Sequence, residues 1–133
     1  MGRLGVTIDD ILSSTYVENI PIASAAVVYT KSWEWGNGEY FSLDYIASSS
    51  GVVGLLIELE QGNTLPGTEG SSDSDWVVAE NAQDIESDLN DKTQHFKKLS
   101  PVLSKYGRLK ITGSGSNDAT TVIRLKLARQ EEV

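Results

Sequence analysis

YGRLKITGSGSNDATTVIRLKLA, residues 106–128, is the stretch on which the fold reading turns. Gly107 to Thr112 and Thr120 to Leu127 alternate apolar and polar residues, the period of a β-strand with one buried face. Leu109 and Ile111 fall on one side with Ile123, Leu125 and Leu127, while Arg108, Lys110, Arg124 and Lys126 fall on the other. GSGSN between the two runs has the composition of a turn. A hairpin centred near Ser116-Asn117 sets Lys110 opposite Arg124 and Arg108 opposite Lys126. Like charges facing each other destabilise a ladder unless acidic groups lie close by. Glu58 and Glu60, expected to point outward from their own strand, could supply those groups, as could acidic residues of a neighbouring subunit.

The same alternation runs outward along the chain. Phe41, Leu43, Tyr45 and Ala47 interleave with Ser42, Asp44 and Ser48, and Val53, Leu55, Ile57 and Leu59 point the opposite way from Glu58 and Glu60. Ile20 to Thr30 is a strand with contacts on both faces. Trp76 to Ala79 and His95 to Leu99 are shorter strands, the second ended by Ser100-Pro101. Trp33 to Glu39 is a turn, and Gln61 to Asp75, rich in Gly, Ser, Asn and Asp, is a loop with no apolar face. Glu80 to Thr93 is acidic and fits either a helical turn or an irregular connection, because Ile85 and Leu89 sit four apart. These signals give an all-β chain: an antiparallel β-sandwich or jelly roll of about seven to eight strands over 20–133, with an extended N-terminal arm over 1–19. Phe41, Leu43, Tyr45, Leu55, Ile57, Leu59, Leu109, Ile111, Ile123, Leu125 and Leu127 are its expected core.

Composition sets the outer limits. At 133 residues, 39% hydrophobic and 23% charged, the chain has the size and balance of one globular domain. It has no cysteine, which excludes disulfides and thiolate metal sites. No run approaches the ~20 apolar residues of a membrane span, and MGRLGVTIDDILSS lacks a signal-peptide core, so a soluble protein made in a cytoplasm, with no membrane partner, is expected. A formal net charge of -8 disfavours nucleic acid: a cluster of four cations on such a chain would hold a phosphate backbone weakly.

No catalytic constellation emerges. The single histidine, His95, has lysines nearby and no G-x-S-x-G turn to serve. GSGSN lacks the lysine of a phosphate loop. Asp73 and Asp75, and Asp84, Glu86, Asp88 and Asp91, crowd two segments, but neither has the ligand offsets of an EF-hand, so a solvated acidic face is expected in place of calcium. Trp33, Trp35 and Tyr40, with Trp76, raise a second class of function. On the rim of a turn they would form a stacking platform for carbohydrate or a receptor, although large aromatics more often fill cores. The reading is a protein that is not an enzyme and takes no cofactor.

The stretch 106–128, an aromatic followed by R-L-K-I-T-G, a Gly/Ser/Asn turn and T-V-I-R-L-K-L, is similar to the last hairpin of small β-sandwich structural proteins in tailed-phage virions. YFSLDYIASSSGVVGLLIELEQG, residues 40–62, resembles the middle hairpin of the same modules, which continue into a loop carrying W-x-V. The resemblance implies head decoration (cement) or another capsid or tail accessory role, a virion location, and partners that are a homo-oligomer and the major capsid or another virion protein. The expected interface is the basic face of Arg108, Lys110, Arg124 and Lys126 together with the arm. Leu4, Val6 and Ile8 alternate, and with Ile11 and Leu12 they suit strand addition to another subunit or the capsid, unless the arm folds back on its own domain.

Overall fold

The computed structural model describes residues 4–8, 18–35, 40–48, 53–79, 84–99, 104–115 and 119–132, with side chains for all of these except 4–8, 18–19, 40, 84 and 128–132. The described residues form eleven strands: β1 (Leu4–Ile8), β2 (Glu18–Ala23), β3 (Val27–Tyr29), β4 (Trp33–Glu34), β5 (Tyr40–Ala47), β6 (Leu55–Gly62), β7 (Val77–Val78), β8 (Asp84–Leu89), β9 (His95–Leu99), β10 (Tyr106–Gly113) and β11 (Thr120–Glu132). All the pairings are antiparallel and close into two sheets. In the first sheet β1 and β2 lie end to end along one edge of β11, with β5 and then β9 on the other side. In the second sheet β3 and β4 flank β10, β6 follows, and β7 and β8 share the far edge of β6.

The excess over the expected strand number comes from short pieces. Ile20 to Thr30 is broken by a turn at Ser24 and Ala25, where Ala25 takes a φ of 60°. The described part of the acidic segment, from Asp84 to Thr93, contains the strand β8 and no helical turn. Ile85 and Leu89, four apart, fall on the same face of a strand as they would on a helical turn, and both reach the core; β8 pairs with β6 through register irregularities.

Every side chain of the expected core is buried, from Phe41 to Leu127. Each such aliphatic or aromatic side chain contributes about 1.5–3 kcal/mol through removal from water. The pairing of the strands that carry them differs from expectation. β10 and β11 are not a hairpin; they belong to opposite sheets, and β5 and β6 are separated in the same way. Leu109 and Ile111 therefore meet Ile123, Leu125 and Leu127 in one interior cluster, each apolar face burying the other. The like-charge pairs of a hairpin never form. Arg108 lies across from Glu60 and Lys110 across from Glu58, opposite charges in register on adjacent strands.

Two tryptophan sites need a glycine beneath the ring. A Cβ at Gly107 would stand 2.7 Å from Trp35 Cζ2 and 2.9 Å from Trp33 Nε1, and one at Gly62 would stand 2.6 Å from Trp76 Cε2. Both tryptophan sites thus depend on a bare backbone beneath the ring.

The arm is also placed differently. Leu4 to Ile8 pair with Glu132 to Ala128 of their own β11, so this strand addition occurs within the chain. β11 is thirteen residues long and β2 covers only Thr120 to Leu125, which leaves an edge that β1 completes.

Candidate functional site

Three places gather polar side chains. The first is on the outer side of the second sheet. Arg108 has the outward parity that its alternation predicts, yet it is fully buried. The 63–76 segment folds over it. Its guanidinium lies 4.2 Å from the ring centroid of Tyr29 and 4.7 Å from that of Trp76. Nε donates to Glu60 Oε1 at 2.8 Å, and Nη1 donates to the Ser71 carbonyl at 2.7 Å. Trp76 Nε1 donates to the Thr64 carbonyl, the Lys105 N–H to Asn63 Oδ1, and the Ser32 N–H and hydroxyl to Glu69. Asp73 accepts from the N–H groups of Gly67 and Asp75. A segment with no apolar face of its own is held over the sheet by these bonds.

The second place is the seam between the sheets at β8 and β9. The buried Tyr45 hydroxyl, from the first sheet, donates to Glu86 of β8 in the second. The His95 ring stacks on Tyr45 with centroids 5.3 Å apart, and His95 Nε2 meets Asp91 Oδ1 at 2.9 Å. Burial, then the bond to Glu86 and the charges of Glu86 and Asp91, push the Tyr45 phenol far above its ordinary range. Such a phenol is a donor and cannot serve as a base at neutral pH. The bond from His95, helped by the Thr93 N–H, holds the Asp91 carboxyl below the usual carboxylate range.

These shifts fix the sign of two pH effects. A raised Tyr45 means that stability is full below about pH 10 and is lost as pH rises above it. A lowered Asp91 means that its contribution is full above about pH 4 and is lost as pH falls through the lower folded value. Urea melts across pH should therefore show a shallower alkaline limb for Tyr45→Phe and a shallower acid limb for His95→Ala. Unchanged limbs would show that the seam is not coupled to folding.

The third place is the outer face of the first sheet. β5 contributes Ser42, Asp44 and Ile46, β11 contributes Val122, Arg124 and Lys126, and β9 contributes Phe96, which is 69% exposed. Arg124 lies across from Ile46, and Asp44 lies between Lys126 and Phe96. A shallow depression of about 240 Å³ opens between Ile46, Ser48, Val122 and Arg124. Lys126 is half-buried and Arg124 exposed, and neither joins a salt bridge among the described residues.

The basic quartet is thus split by the fold. Arg108 and Lys110 stand on one sheet and Arg124 and Lys126 on the other, back to back across the core. Leu4, Val6 and Ile8 sit in β1 on their own β11, and Ile11 and Leu12 lie outside the described residues. Trp33 and Trp35 form no rim: both rings are buried, at 2% and 3% exposure, in an edge-to-face chain with Phe41. The side chain of Tyr40 lies outside those described. Among the described residues no group of His, Asp and Glu is arranged to hold a metal ion. Alternation alone gave no sign of the Arg108 cage, since an outward cation reads as solvated. The usable signal was a tryptophan closing a long loop, next to a strand that places an arginine opposite a glutamate. No family model matches the chain, and no curated protein matches its sequence.

Proposed function

We propose that this chain is a non-enzymatic structural protein of a phage particle, acting as a capsid decoration or cement protein through protein–protein contacts. One observation supports it above the rest: the ionisable groups inside the fold are spent on holding the fold together. Arg108 holds Glu60 and the buried Tyr45 holds Glu86, with His95 on Asp91 at the surface beside them, while the outer face of the first sheet displays Phe96, Arg124 and Lys126. A mixed apolar and basic sheet face suits contact with another protein. The virion assignment rests on the resemblance of residues 40–62 and 106–128 to phage sandwich proteins, as strand patterns and not as hairpins. A carbohydrate platform draws no support from the buried Trp33 and Trp35.

The test is particle association. Antibody raised against the purified chain should label tailed-phage heads in cultures carrying its gene, and mass spectrometry of washed particles should find it at lattice-like copy number. Particles free of the protein would overturn the proposal.

A further inference from the structure

The two outer faces of the sandwich are unlike, and they are complementary. On the second sheet, 63–75 is a long loop without strands, a kind that is uncommon inside a compact domain unless it has a task. Its bonds to Arg108, Ser32 and Lys105 fix its shape, so ordering it costs little on binding. It displays Leu65, 53% exposed, and the exposed acidic residues Glu69 and Asp75. On the first sheet, the Ile46/Val122 depression is bordered by Arg124, with Lys126 next along the strand.

We propose that copies of this protein associate head to tail. The 63–75 loop of one copy seats Leu65 in the Ile46/Val122 depression of the next, with Glu69 and Asp75 set against Arg124 and Lys126. A second copy is the occupant because one chain carries both halves: an exposed Leu65 on a loop that also bears Glu69 and Asp75, and an apolar hollow bordered by Arg124. Face-to-face packing of two first sheets would oppose Arg124 and Lys126 to themselves. Continuing the first sheet past β9 is disfavoured as well. Lys97 lies across from the buried Leu43, on the inward side of that edge, and is exposed, an arrangement that blunts strand addition. Loop and depression lie on opposite outer faces, so the contact is heterologous and propagates as a stack or closes as a ring.

Sedimentation and light scattering of the purified full chain test this, with Leu65→Asp and the pair Arg124→Glu/Lys126→Glu as variants. All three positions are exposed or half-buried, and thermal melts check that each variant is folded. The wild type should grow in mass with concentration and shrink with added salt. Each variant should weaken association by roughly thirtyfold or more, as loss of a hot spot does. Mixing the two variants should restore a dimer, because Leu65→Asp keeps an intact depression and the charge-reversed chain keeps an intact loop. A wild type that stays monomeric, variants that assemble like wild type, or a mixture that stays monomeric would each overturn the proposal. It stands apart from the virion reading: a chain can self-associate without binding particles, or bind them as a monomer, so the two experiments fail separately.

Discussion

Arg108→Ala should lower the stability of this protein by about 3–5 kcal/mol, read as a fall in the urea midpoint at unchanged slope. The guanidinium is fully buried, and its removal leaves Glu60, itself only 5% exposed, as a charge without its partner. It also strips the cation from between Tyr29 and Trp76 and frees the Ser71 carbonyl. The pair itself need not be a net stabiliser, because both ions were taken out of water to form it. Replacing both at once, Arg108→Met with Glu60→Leu, should therefore recover most of the loss. If the double variant is as unstable as Arg108→Ala, the cage matters through the loop bonds and not through the buried charge. Glu60→Gln alone should fall between wild type and Arg108→Ala, since it keeps an acceptor but not the ion.

Trp35→Ala should cost nearly as much, about 3–5 kcal/mol, because the ring is the middle of the Trp33–Trp35–Phe41 chain and leaves a cavity when truncated. Trp35→Phe should cost far less than the lost ring volume suggests. The indole N–H of Trp35, like that of Trp33, is buried without an acceptor among the described residues, and phenylalanine removes that unpaired donor. Chemical melts of the two variants side by side decide the matter. A Trp35→Phe protein as unstable as Trp35→Ala would show that the nitrogen has a partner after all, water included. Gly107 belongs to the same site. Any side chain there must displace Trp33 or Trp35, so Gly107→Ala should destabilise by about 1–3 kcal/mol despite alanine's better strand fit.

Period-two alternation carried the all-β class, the core and most strand positions, because a half-buried strand imposes that period whatever its partner. Partner choice left no such trace. Leu109 and Ile111 face Ile123 and Leu125 whether two strands share a sheet or oppose each other across a core, and only the second arrangement parts Arg108 and Lys110 from Arg124 and Lys126. Reading Glu58 and Glu60 as the internal counter-charges was right in identity; Glu60 keeps the outward parity expected of it and is nonetheless buried with Arg108, whose guanidinium the 63–76 segment covers. Trp33 and Trp35 looked like a rim because they flank a glycine turn; the glycine that mattered was Gly107, some seventy residues away and recognisable only in three dimensions. Among the candidate interface residues, Arg124 and Lys126 stand where a partner can reach them. Arg108 does not.

The separation of neighbouring strands into opposite sheets has a kinetic consequence. A sandwich of simple hairpins can zip up from local contacts, each turn bringing its own partners together. Here β5 must wait for β11 and β9, β6 for β10, and β1 closes on the far end of β11, so nearly every ladder spans a long stretch of sequence. Chains dominated by such pairings refold on the millisecond-to-second scale, far slower than helical domains of equal stability. On the ribosome the first sheet has no centre until its last strand is made. Until then β2 and β5 have open edges and exposed apolar faces, and this nascent chain is the stage most in need of shielding.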